Sequence, residues 1–147
     1  MRTAIDTNAI SALWSGEPLA SAISNLLDEA ASAGGLVICG AVYAELRAHP
    51  RASREFVDKF LASTSITIDY SMDAATWEQA ASRFARYVVR RRASHSRTPH
   101  AKRLLADFII GAHALTRADR LLTLDTSRYA RDFADLVQVD AGKAARI

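Results

Sequence analysis

Cysteine occurs once, at Cys39, so this chain can build neither a disulfide framework nor a thiolate zinc site. Its position after Leu36-Val37-Ile38 marks it as a small core residue. Long apolar runs are also missing. The longest, Leu36 to Ala44, falls well short of the roughly 20 residues a membrane-spanning helix needs, so no span is expected. The N-terminal segment lacks the succession of basic, apolar and small-residue zones of a secretory signal, and the protein is expected in the cytoplasm. Acidic residues are absent from Arg83 to Arg103, a stretch that carries eight Lys or Arg and leaves 11 basic and 16 acidic residues elsewhere. A basic band therefore adjoins an acidic body, although the net charge is only +3. Such a band suits a polyphosphate partner, because each neutralised phosphate releases condensed counterions.

What remains is a chain of 147 residues, half of them hydrophobic, which is enough for one complete core and too little for two. Arg2 to Ile5 is a buried strand running into the turn or cap Asp6-Thr7-Asn8. Helices are predicted over Ala9 to Trp14 and Leu19 to Ala33, the second ended by Gly34-Gly35. Leu36 to Cys39 is the second strand, Ala41 to Arg47 a helix, and Ser53 caps another helix to about Ser63. After a short strand, Ile66 to Asp69, Met72 opens a long helix with Trp77, Ala81, Phe84 and Val88 on its apolar face and the arginines opposite. A polar linker, Ala93 to Pro99, leads into a helix that ends near Thr116. Leu121 to Leu124 and Leu136 to Val139 are the last strands, with a helix from Ser127 to Phe133 between them. Strands alternating with helices predict an α/β fold of three layers, a mostly parallel sheet flanked by helices, over residues 1–140, with 141–147 as a loose tail.

Against this apolar background four acids stand out. From Leu104 to Leu115 every residue is apolar or glycine except Asp107 and His113, so the Asp107 carboxylate emerges among core positions. Burying an unpaired carboxylate costs several kcal/mol, which calls for an arginine, backbone donors or a metal ion as compensation. His113 is expected to be hydrogen-bonded within the core. Asp6 and Asp125 each close a strand, and Glu45 follows another by about one and a half helical turns. In open parallel sheets ligands bind at that edge, so the topology delivers all four acids to one place. A hard divalent cation, Mg²⁺ or Mn²⁺, would relieve their repulsion and supply the chemistry for phosphodiester hydrolysis. Each acid also has an ordinary reading: Asp6 as a helix cap, Glu45 as a solvated helix residue, Asp125 as a turn residue.

With Ile5-Asp6-Thr7-Asn8, Val42-Tyr43-Ala44-Glu45-Leu46, Leu105-Ala106-Asp107-Phe108-Ile109-Ile110-Gly111-Ala112-His113-Ala114 and Ala118-Asp119-Arg120-Leu121-Leu122-Thr123-Leu124-Asp125 in this order, the chain resembles the PIN-domain family. Within it, the chain is similar to the VapC-type ribonuclease toxins of toxin–antitoxin pairs. The resemblance implies a Rossmann-like fold, a Mg²⁺- or Mn²⁺-dependent endoribonuclease, an antitoxin partner and a homodimer. It matches Asp6, Glu45, Asp107 and Asp125 to the family's catalytic and metal-holding acids, and Asn8 and Thr123 to supporting polar residues. One departure is Leu124, where many relatives carry Arg. The basic residues Arg83, Arg86, Arg90, Arg97, Lys102 and Arg103 are the candidate RNA contacts, the first three as a phosphate rail on one helical face. Two rival readings remain: a haloacid-dehalogenase-like phosphatase with Asp6 as nucleophile, which needs an acid where Asn8 stands, and a non-catalytic module that binds RNA or a protein partner.

Overall fold

The computed structural model describes residues 1–16, 18–94 and 104–144. Five short strands form one sheet: β1 (Thr3–Ile5), β2 (Leu36–Cys39), β3 (Ile66–Asp69), β4 (Arg120–Thr123) and β5 (Gln138–Asp140). Their order is β3-β2-β1-β4-β5 and every pairing is parallel. The α/β expectation holds, with helices flanking the sheet. β1 and β2 are buried at every position, which is why they are continuous apolar runs rather than alternating ones.

Between β1 and β2 lie α1 (Thr7–Trp14) and α2 (Ala20–Ala33); α3 (Gly40–Arg47) and α4 (Arg54–Ser63) lead to β3. Ser53 caps α4 by accepting from Phe56 N, as its sequence position implies. After β3 the chain runs through α5 (Ala74–Ala93) and α6 (Leu105–Arg117) before β4. The strand order then reverses: β2 and β3 add to one side of β1, while β4 and β5 add to the other. The crevice between the ends of β1 and β4 is thus the topological switch point, where ligands of such sheets bind.

Two expectations are corrected here. On α5 the face turned to the protein carries Thr76, Ala80, Arg83, Tyr87 and Arg90, whereas Trp77 is 49% exposed and Ala81 faces solvent. Periodicity alone identified the apolar stripe but missed the partners that draw the arginines inward. Arg83 makes a bidentate pair with Asp135 at 2.7 and 2.9 Å, and Arg90 meets Asp132 at 2.9 Å. A loose tail directly after Asp140 is the second expectation that differs, over residues 141–144. Ala141–Ala144 form α8, and Ala141 is fully buried, because its methyl packs into the core. The short α7 (Ser127–Ala130) precedes β5. Among the described residues no helix is long and apolar enough to cross a membrane.

Candidate active site

The sheet places its acids as the strand-edge rule requires. Asp6 follows β1 directly, Asp125 lies just past β4, Glu45 is on α3, and Asp107 is in the first turn of α6. Parallel pairing of Ile5 with Leu122 sets Asp6 beside Thr123. The Thr123 hydroxyl, itself fully buried, donates to Asp6 Oδ2 at 2.9 Å, and the Tyr129 hydroxyl donates to the same oxygen at 3.0 Å. Asp6 Oδ1 accepts from Thr7 N at 2.8 Å, so the same residue also caps α1.

Glu45 reaches the group from α3 by accepting the Thr7 hydroxyl at 2.8 Å. Asn8 braces the far wall: its amide donates to Thr123 Oγ1 at 3.3 Å and its carbonyl accepts from Leu124 N at 3.1 Å. Asn8 is therefore engaged on both sides of its amide as a structural brace. It offers no acid or base for the phosphatase alternative.

Asp107 is only 15% exposed and receives two of the compensations its sequence position calls for. Leu104 N donates to its Oδ2 at 3.1 Å, and Arg128 Nη1 approaches its Oδ1 at 3.4 Å. Asp125 acts as a turn residue, accepting Ser127 Oγ at 2.6 Å and Arg128 N at 3.2 Å, while Arg128 Nε lies 3.5 Å from its other oxygen. Arg128 and Tyr129 were not singled out in the sequence. Their signal was their place one turn after Asp125, which puts their side chains back over the strand edge.

Burial pushes the Asp6 carboxyl above its usual range, against the lowering effect of the Thr123 and Tyr129 hydroxyls, the Arg128 charge and Thr7 N. Glu45 is also raised, first by desolvation on its inner side and then by the negative charges of Asp6 and Asp107, with Thr7 opposing. The Tyr129 phenol is driven far up by burial and by Asp6, which keeps it a donor. The acids thus feel one another, as charges sharing a pocket must.

The acids offer oxygen donors, the kind a hard cation such as Mg²⁺ or Mn²⁺ takes. The donor type, the buried Asp6 and the position at the switch point fit such an ion. Among the described residues, however, no three acidic, histidine or cysteine side chains stand close enough together to hold one. Part of the repulsion is relieved without an ion: Arg128 lies among the acids and contributes positive charge to Asp6, Glu45 and Asp107. Position 124 lacks an arginine, and the guanidinium of this site comes from Arg128.

The remaining candidates separate. His113 is bonded in the core, its Nε2 3.1 Å from Asp69 Oδ2, and Arg117 Nε donates to the same oxygen at 2.6 Å. Arg83 and Arg90 are tied to Asp135 and Asp132, which removes them from an exposed phosphate rail and leaves Arg86 facing solvent. Arg97, Lys102 and Arg103 lie outside the described residues.

A parallel sheet of order β3-β2-β1-β4-β5 flanked by helices, with Asp6 and Asp125 just past the strands at its switch point, defines a Rossmann-like domain. The PIN-domain family model matches residues 3–134, and the chain belongs to that family. Among solved structures, VapBC2 from Rickettsia felis, bound to a DNA fragment from its promoter, is similar at 19% identity and a TM-score of 0.65, covering 95% of this chain and 98% of that one. VapBC-1 from nontypeable Haemophilus influenzae is similar at 19% identity and a TM-score of 0.63, covering 97% and 99%. No match was found among curated proteins.

Proposed function

We propose that the chain is a Mg²⁺- or Mn²⁺-dependent endoribonuclease, the toxin of a toxin–antitoxin pair, hydrolysing RNA phosphodiester bonds in the cytoplasm. What supports this reading is that Asp6 and Asp125 follow β1 and β4, the strands that flank the switch point, while Glu45 on α3 and Asp107 on α6 share the charge of Arg128 with them. These four residues would hold the cation. When bound, it supplies positive charge that stabilises the negative charge developing on phosphate and makes water more acidic. Thr123, Tyr129 and Thr7 orient the Asp6 oxygens, Thr7 also fixes Glu45, and Asn8 locks the β1 and β4 edges together. Arg86, Arg97, Lys102 and Arg103 are the cations proposed to draw the RNA backbone to this edge. An antitoxin partner belongs to the reading by analogy with the VapBC structures, and a homodimer by analogy with the family.

The test is cleavage of RNA by the purified chain with Mn²⁺ or Mg²⁺, against EDTA and against Asp107→Asn. Asp107→Asn removes one charge while keeping the shape and most of the hydrogen bonding, so it is expected to fold and to lose at least about a hundredfold in rate. Metal-dependent cleavage at the wild-type rate by that variant, prepared free of host nucleases, would overturn the assignment.

A further inference from the structure

We infer that Arg128 is an internal counter-cation with two seats: between Asp107 and Asp125 in the metal-free chain, and on Asp132 once a divalent cation engages the acids. The inference rests on the metal-site reading above and adds what the chain itself must do to admit the ion.

The first seat is loose. Arg128 stands 3.4 Å from Asp107 and 3.5 Å from Asp125, beyond the 2.7–2.9 Å typical of charge-assisted hydrogen bonds. Its side chain is 39% exposed, so little packing holds it there. Yet this one guanidinium acts on several acids at once, and a divalent cation arriving among them meets it in the same space. Two cations in one pocket repel, so the movable one yields.

The second seat is identified by an orphan. Asp132 is 96% buried by side chain, with 4% exposed; its Oδ1 pairs with Arg90 at 2.9 Å, but its Oδ2 is buried with no partner among the described residues. A buried carboxylate oxygen without a donor is costly, so a donor nearby would be welcomed. Asp132, Arg128 and Asp107 line the same recess. Helical hydrogen bonds from Ala130 N to Thr126 O and from Phe133 N to Tyr129 O continue the turn, which places positions 128 and 132 on one side. Rotamer changes of the long arginine stem are the proposed route by which its charge passes from Asp107 to Asp132 across that recess. The move vacates the oxygens a metal needs and satisfies the orphan.

Calorimetric Mn²⁺ titration of the full chain tests this in four proteins: wild type, Arg128→Gln, Asp132→Asn and the double variant. Removing the competing charge is expected to tighten Mn²⁺ binding about five- to tenfold in Arg128→Gln. Removing the receiving seat is expected to weaken binding by about threefold in Asp132→Asn, an effect that vanishes when Arg128 is already Gln. Arg128 is partly exposed, so its variant folds, and thermal melting in EDTA checks all four. Wild-type binding that Arg128→Gln leaves unchanged, or an Asp132→Asn effect equal in both backgrounds, overturns the two-seat mechanism alone. Absence of Mn²⁺ binding in all four overturns the metal-site reading and this inference together.

Discussion

At Asp6, burial and ionisation pull in opposite directions, and the donors around it decide the balance. A carboxylate this enclosed is tolerated because three donors, Thr7 N, the Thr123 hydroxyl and the Tyr129 hydroxyl, replace the water it has lost. Tyr129→Phe keeps the ring in the core and deletes one of these donors. It is expected to lower stability by about 1.5–3 kcal/mol, the usual worth of a hydrogen bond to a charged group, in denaturant titration. An unchanged unfolding midpoint would mean that the phenol does not support Asp6. The need at Asp107 was legible in the sequence, since an acid in an apolar helix must find compensation. Which compensation it found was not, because Arg128 reaches it from across the fold.

The element that most constrains the site is α6, which carries Asp107 at one end and Arg117 at the other. Between them Gly111 lets the helix approach Phe133: a β-carbon there would stand 2.6 to 2.9 Å from the ring. Gly→Ala in a helix interior gains about 1 kcal/mol of propensity, whereas overpacking a filled core costs about 1–3 kcal/mol. Phe133 is 2% exposed and has nowhere to turn, so the cost wins. Gly111→Ala is therefore expected to lower the melting temperature; a rise would show that the ring relaxes freely. The same element scale holds the failure on α5. An amphipathic pattern reports where apolar side chains lie, but Asp132 and Asp135 drew Arg83 and Arg90 inward and left Trp77 outside.

Across the whole molecule, Asp69 ties together β3, α6 and the N-terminal segment through His113, Arg117 and Arg2. Burial alone would raise its carboxyl. The Arg117, Ser71 N and His113 hydrogen bonds with the Arg117 charge outweigh it and hold Asp69 well below the usual carboxylate range. Its contribution is thus fully present above the unfolded value of about 3.9 and is lost as pH falls through the folded one. Burial lowers the His113 imidazole below its usual value of about 6.5, with Asp69 opposing, so its charging likewise favours the unfolded chain as pH drops. Stability is expected to fall on acidification below pH 6.5, and the deficit of Asp69→Asn relative to wild type to begin shrinking only below about pH 3.9, through pH 3 and lower. A deficit that stays constant over that range in melting experiments would exclude Asp69 as the linked group.

Strand and helix positions came from local rules: caps such as Ser53, the Gly34-Gly35 stop, and apolar runs too short for anything but buried strands. The placing of Asp6 and Asp125 followed from parallel topology, because carboxyl ends of parallel strands share one edge. Charge pairing obeyed no such rule. Arg128 among the acids, Asp132 with its spare oxygen and Tyr129 on Asp6 are contacts between segments whose approach is decided by packing. A linear pattern encodes which faces are apolar, whereas the partner of a charge depends on distances that exist only after the chain has closed on itself.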